Sequence, residues 1–253
     1  MSIRTVNTNG VAVIEIARPE KKNALTQAMY TAMTEAILAA DADTTIRALL
    51  ITGQPGIFTS GNDLEDFMQR PPAGEDSPVF KFMKTLSECG KPVVAAVTGG
   101  AIGIGTTMLL HCDLVYVSDE ARLAMPFVSL GLVPEYASSL LIPQLIGHAR
   151  ATELLLLGEP FNGERAVEMG IANAVLPAAE VVNHARRMAE RFNALPPGAV
   201  RESKALMRRA QAALVKETVA VEGEVFAKRL RSPEATEAFQ AFFQKRKPDF
   251  SKF

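Results

Sequence analysis

The sequence predicts a layered α/β core with parallel strands, carrying a helical C-terminal extension. Three observations predict it. Aliphatic runs without polar alternation recur at 11–16, 47–53, 91–99 and 113–118, the pattern of strands buried on both faces. The stretch between the first two runs is apolar at helical spacing, so the strands are joined through helices. From residue 135 onward the apolar spacing is helical almost throughout.

In chain order, Val11-Ala-Val-Ile-Glu-Ile16 is the first strand. Thr26 is a helix N-cap, followed by Met29, Met33, Ile37 and Ala40 on one face. Arg47 to Gly53 is the next strand. Residues 70–78 (RPPAGEDSP) are turn-rich and acidic, a loop or a mobile wall over a ligand site, and Val79 to Leu86 form a short helix. Lys91 to Gly99 and Asp113 to Ser118 are two further strands around a glycine-rich turn and a short helix. Helices are expected at 149–157, 163–169, 178–193, 198–214 and 233–245, with breaks at Pro196-Pro197 and Arg231-Ser-Pro233. The expected division is a core over 1–195 and a helical region over 196–253.

Composition excludes several classes. Apolar residues make up 48% and charged residues 22% of the 253, ordinary for a globular chain. Lys and Arg number 27 against 28 Asp and Glu, so no global field favours nucleic acid or an anionic membrane. Two cysteines and three histidines without ligand spacing offer neither a disulfide framework nor a metal site. The N-terminus lacks the apolar stretch of a signal peptide, and no apolar run reaches membrane-spanning length. A cytoplasmic location is expected. The ending Ser251-Lys-Phe253 is similar to a peroxisomal signal but lacks its usual last residue.

Two turns hold the candidate chemistry. Ile57-Phe-Thr-Ser-Gly-Asn-Asp-Leu64 follows the second strand, and Gly99-Gly-Ala-Ile-Gly-Ile-Gly-Thr-Thr107 lies between a strand and a helix. Gly100, Gly103 and Gly105 do not form a dinucleotide fingerprint, and no phosphate-loop lysine follows. The second turn therefore either packs a helix tightly on a strand or aims backbone amides at an oxyanion.

Together these segments resemble the crotonase superfamily, the enoyl-CoA hydratase/isomerase family. The resemblance is carried by Arg18-Pro-Glu-Lys-Lys-Asn-Ala-Leu25, Phe58 to Leu64, Lys91 to Gly99 running on to His111-Cys-Asp113, and Leu130-Gly-Leu-Val-Pro134. Gly158 to Gly170 and Lys245-Arg-Lys-Pro-Asp-Phe250 extend it over nearly the whole chain. It implies a crotonase-like β-β-α superhelix core whose C-terminal helices build homotrimers, often paired into hexamers. It also implies an acyl-CoA thioester substrate, coenzyme A being part of the substrate and no separate cofactor. The thioester oxygen would lie between the backbone N–H groups of Asn62 and Ile104. Ala24, Leu25 and Ser60, Gly61, Asn62, Asp63 and Leu64 would contact the CoA, with Ile104 and Gly105 from the second turn. Lys21, Lys22, Lys245, Arg246 and Lys247 are phosphate candidates, and solvated surface charge is the alternative for each.

The reaction depends on the acids. The two glutamates of the family's hydratases fall here on Thr107 and Phe127, neither of which is a base near neutral pH. Phe127 is core or a wall of the acyl pocket. Glu135, directly after Pro134, stands where the peroxisomal-type Δ3,Δ2-enoyl-CoA isomerases carry their single catalytic glutamate. Those relatives share Ser60-Gly-Asn-Asp-Leu64 and the Pro134-Glu-x-x-Ser-Ser139 pattern. Two readings of Glu135 follow: an acid favoured by a helix start, or a base in an apolar pocket with raised pKa. The matching turns favour the base. The implied function is shifting a 3-enoyl-CoA double bond to the 2-position in fatty acid β-oxidation. Thioester hydrolysis, dehalogenase-like attack and non-catalytic acyl-CoA binding are the competing readings. His111 and His148 read as structural, and Asp63 as a turn cap.

Overall fold

The computed structural model describes residues 2–72 and 74–253; the turn-rich stretch 70–78 includes Ala73, which lies outside the described residues. The described residues form ten strands and eleven α-helices. The strands are β1 Ile3–Thr8, β2 Val11–Ile16, β3 Ala48–Thr52, β4 Ile57–Thr59, β5 Val93–Val97, β6 Gly100–Ile102, β7 Leu114–Ser118, β8 Arg122–Ala124, β9 Phe161–Asn162 and β10 Ala174–Leu176. The helices are α1 Gln27–Ala42, α2 Leu64–Gln69, α3 Pro78–Glu88, α4 Ile104–Thr107, α5 Ser138–Ile146, α6 His148–Leu155, α7 Gly163–Glu168, α8 Val181–Glu190, α9 Pro197–Arg209, α10 Ala212–Leu230 and α11 Pro233–Phe243.

Among the described residues two sheets form, ordered β1-β2-β3-β5-β7-β10 and β4-β6-β8-β9. Within the larger sheet β2, β3, β5, β7 and β10 run parallel and β1 closes one edge antiparallel to β2. In the smaller sheet β4, β6 and β8 run parallel. The chain steps from the large sheet to the small one three times, from β3 to β4, β5 to β6 and β7 to β8, and returns through helices, the last time by way of β9 in the small sheet. That repeated strand–strand–helix unit is the organising device of the fold.

Burial explains the uninterrupted aliphatic runs. Every residue of β3 and β5 is buried. Alternate residues go to opposite sides of the sheet. Ile14, Leu49, Ile51, Val93, Ala95 and Val115 face the main core with Met29, Met33 and Ile37 of α1. Val13, Leu50, Val94, Ala96 and Tyr116 face Val181, Ala185 and Ala189 of α8. Thr26 caps α1 as its sequence predicts, its side chain accepting from Met29 N.

Three features differ from the sequence expectation. The N-terminal strand β1 is largely exposed, so it lacks a buried run, although Asn9-Gly10, both at positive φ, is a recognisable hairpin signal. The helix expected over 198–214 ends at Arg209, and a second helix, α10, occupies 212–230. Gly223 and the β-branched Val215, Thr218, Val219, Val221 and Val225 lower the intrinsic helix preference there, so tertiary packing sets this helix. Pro143 sits inside α5, which masks that helix in the sequence as well.

The C-terminal helices are tied into the chain's own core. Lys204 on α9 donates to Lys91 O and to Asp113 Oδ2, both at 2.6 Å. Arg208 donates to Asp113 Oδ1, His111 O and Ser87 O at 2.8–2.9 Å. Further on, Phe226 of α10 meets Phe67 of α2 edge to face. Helix α9 thus packs where β5 and β7 begin, and α10 against α2, the helix that follows the first turn. Among the described residues no helix is long and apolar enough to cross a membrane, and no cluster of three or more potential metal ligands occurs.

Candidate active site

The first turn is templated by residues 18–25. Asn23, fully buried, accepts from Arg18 N and donates to Ile57 O and Phe58 O. Thr59 donates to Asn23 O while accepting from Gly61 N. Ser60 N bonds Lys22 O, Leu25 N bonds Gly61 O, and Asp63 N bonds Leu25 O. These bonds bring Ala24 and Leu25 beside Ser60, Gly61, Asn62, Asp63 and Leu64. They also leave the Asn62 N–H pointing away from Leu25, because both bonds of that bridge are made by residues 61 and 63.

The second turn leaves the neighbouring strand. Since β4 and β6 are parallel neighbours, both turns depart from the same end of one sheet. Gly61 sits at φ +90°, and a Cβ there would lie 2.8 Å from Ile102 O; a Cβ on Gly105 would lie 2.6 Å from the Thr59 methyl. Only glycine allows the turns to approach so closely. Ile104, fully buried, opens α4, so its N–H belongs to the first turn of that helix and has no partner within it. Phe127 is buried next to the same turn, its ring 3.8 Å from where a Gly103 Cβ would be.

Glu135 lies inside. It is 6% exposed, and its Oε1 is buried without a hydrogen-bond partner. Burial, and then the charge of Glu222 on α10, push its carboxyl up to about 8. The helix-start reading is set aside by this geometry: α5 begins only at Ser138. The turn between them is strained. Tyr136 and Ala137 have φ of 60° and 58°, a conformation costing L-residues roughly 1–2 kcal/mol each. Ser138 donates through N and Oγ to Glu135 O, Tyr136 donates its hydroxyl to Met83 O, and His111 Nε2 donates to Tyr136 O at 2.8 Å. His111 also stacks on the Tyr136 ring with centroids 3.7 Å apart. Burial holds His111 down to about 4, so it is neutral at pH 7. The histidine is structural as expected, yet it braces the residue next to Glu135.

Two residues that the sequence pattern passes over join these parts. Tyr30, on the buried face of α1, donates its hydroxyl to Asn62 Oδ1. Its phenol is raised well above the ordinary value by burial and then by the charge of Glu135. The other is Glu222. Tyr30→Phe should cost about 1 kcal/mol in urea unfolding, the worth of one hydrogen bond, without loss of the fold.

Other candidates are placed less centrally. Asp63 caps α2, accepting from Asp66 N, and pairs with Arg18 at 2.7 Å, which holds its carboxyl low against the effect of burial. Its carboxylate is therefore committed to structure. Thr107 is fully buried with its hydroxyl unpartnered. Lys21 pairs with Glu65, and Arg246 with Glu237. Cys112 is half-buried and its thiol is pushed up to about 12, so it is a neutral thiol near neutral pH.

A family model described as enoyl-CoA hydratase/isomerase matches residues 6–252. The chain belongs to the enoyl-CoA hydratase/isomerase family. The fold is the crotonase fold: the structure of Pseudomonas aeruginosa OdaA superposes with TM-score 0.94 at 54% identity, over 95% of this chain and 98% of that one. An enoyl-CoA hydratase/isomerase from Pseudoalteromonas atlantica T6c superposes equally well at 41% identity, over 99% and 100%. Among family members of known name, human enoyl-CoA delta isomerase 2 is 33% identical over 94% of this chain, which spans 62% of the human protein's length. The 2,3-dehydroadipyl-CoA hydratase of Escherichia coli (strain K12) is 28% identical over 95% of this chain and 94% of its own. Relatives at similar distance thus carry both isomerase and hydratase names.

Proposed function

We propose that this family member is a Δ3,Δ2-enoyl-CoA isomerase working with one carboxylate. The observation that carries the reading is Glu135: buried, its Oε1 unpartnered, with Thr107 and Phe127 at the two positions where hydratases hold acids. Hydration needs water activated and a proton delivered by a pair of acids. Moving a double bond needs only one group that takes a proton and gives it back.

The substrate's C2 protons are acidic because both the thioester carbonyl and the C3–C4 double bond stabilise the anion. In the proposed path Glu135 removes one of them. The resulting dienolate carries its charge on the thioester oxygen, held by the N–H groups of Asn62 and Ile104. Each such donor contributes ~3–4 kcal/mol in comparable sites. The Glu135 carboxylic acid then returns the proton at C4, and the 2-enoyl thioester leaves. Ala24, Leu25 and the Ser60–Leu64 turn would bind the CoA, and Phe127 would wall the acyl pocket. Exposed Leu206, Met207, Val221, Val225, Phe242 and Phe243 on α9–α11 support assembly into a homotrimer, in line with the family resemblance.

The deciding test is a spectrophotometric assay with 3-hexenoyl-CoA. Formation of the conjugated thioester supports the reading. Hydration of 2-hexenoyl-CoA, or release of free CoA without isomerisation, overturns it. The pH profile adds a second check. The base acts only when ionised and its carboxyl is pushed up to about 8, so kcat/KM should fall tenfold per pH unit below about 8 and level off above it.

A further inference from the structure

Glu222 lies far from both turns in sequence, on a helix whose acids look like solvated surface, yet it is only 7% exposed. Its Oε2 accepts from Ala137 N at 2.6 Å, and its Oε1 accepts from Ser139 N at 2.9 Å and Ser139 Oγ at 2.5 Å. Every one of these partners is a neutral donor. Burial raises the Glu222 carboxyl, and the three hydrogen bonds from Ser139 and Ala137 act against that by favouring the carboxylate. The partners bracket the left-handed pair Tyr136 and Ala137. A helix of the C-terminal region therefore grips, by two backbone amides and a hydroxyl, the turn from which Glu135 projects.

We propose that Glu222 is the positioning residue for Glu135, locking the 136–139 turn so that the base points into the site while placing an unneutralised negative charge behind it. The proposal rests on the reading of Glu135 as the base and assigns that base its support. The second serine of the Pro-Glu-x-x-Ser-Ser pattern gains a role as well: Ser138 holds the Glu135 carbonyl, while Ser139 holds Glu222. Several groups face Glu135 or stand behind the turn. Tyr30 from α1 and the adjacent Tyr136 are phenols raised well above their ordinary values, hence neutral. Behind Tyr136 stand neutral His111, the Cys112 thiol pushed up to about 12 and the Arg208 guanidinium. Glu222 is the acid among them: burial raises its own carboxyl while its three donors hold it down, and as a carboxylate it raises the Glu135 carboxyl beyond what burial alone does.

The test uses the full chain with Glu222→Gln and Glu222→Ala. The Glu135 carboxyl is titrated by infrared difference spectroscopy, its C=O band assigned through Glu135→Gln. The midpoint should drop by at least half a pH unit in Glu222→Gln, with the acid limb of kcat/KM moving by the same amount. In Glu222→Ala, kcat should fall at least tenfold while KM stays within threefold. Glutamine retains an acceptor for Ser139 but presents an NH2 to Ala137 N–H, so its kcat should fall between wild type and alanine. An unchanged midpoint in Glu222→Gln, or wild-type kcat in both variants, overturns the proposal. Should Glu222→Ala not fold, the Glu222→Gln midpoint still decides. That midpoint requires no turnover, so a wild-type protein inactive on 3-hexenoyl-CoA overturns the isomerase reading while leaving the coupling of the two carboxyls measurable.

Discussion

Glu135→Gln should lower isomerisation of 3-hexenoyl-CoA by about 10³-fold, within the 10²–10⁴ range for loss of a general base, and should make the protein more stable at alkaline pH. The two effects have one cause. Folding carries the Glu135 carboxyl from an ordinary value near 4.5 to about 8, so between those values the folded chain holds a proton that the unfolded chain has released. The folded state then binds more protons, and stability falls as pH rises from about 4.5 to about 8, staying low above that. The penalty above pH 8 is on the order of 3–5 kcal/mol, at 1.36 kcal/mol per pH unit. Glutamine has the shape of the protonated acid and cannot ionise. Urea unfolding of both proteins should therefore give nearly equal stabilities at pH 4.5 and a gap of that order in favour of the variant at pH 9. CoA-ester binding should survive, since no contact of the first turn is altered. Retained turnover would reject Glu135 as the base. A vanishing stability gap at pH 9 would show that the carboxyl is solvated in the folded state.

The parts of this site legible in the sequence are those built from contiguous residues. Ser60 to Leu64 and Gly99 to Thr107 announce themselves because a strand must stop, turn and present backbone within a few residues, and glycine marks where that happens. Residues 18–25 contain no glycine and are legible only through the family resemblance; the fold adds that Arg18 and Asn23 bond locally and to the neighbouring strand. Tyr30 is different. At its place on the buried face of α1, beside Met29 and Met33, it satisfies the helical period as any core aromatic does. Only the fold reveals that its hydroxyl reaches Asn62. Glu222 is harder still, one glutamate among several on a helix with no clean apolar stripe. Its burial results from the packing of α10 on α2 and α5, a long-range event that local periodicity does not encode. Helix α10, beyond residue 195, holds the turn next to Glu135 through Ala137 and Ser139.

Gly61→Ala should reduce kcat/KM by about 10²-fold and lower stability by roughly 1–3 kcal/mol. Two costs coincide at this position. The backbone is at φ +90°, where an L-residue is strained, and the new methyl would stand 2.8 Å from Ile102 O. That oxygen cannot yield easily. Ile102 lies in β6, paired on one side with β4 and on the other with β8. The Ser60–Asp63 turn must therefore move, carrying the Asn62 N–H away from its counterpart on Ile104. Two donors that hold one oxygen tolerate little error, and misplacing either forfeits most of its contribution to the transition state. Gly56→Ala separates geometry from strain. Gly56 has a similar φ of +82°, but a Cβ there meets nothing within 4 Å. It should lose about 1 kcal/mol of stability and keep wild-type turnover. Measured side by side, equal kcat/KM in the two variants would mean that the spacing of the turns has no part in catalysis. A loss confined to Gly61→Ala would tie the rate to the distance between the two turns.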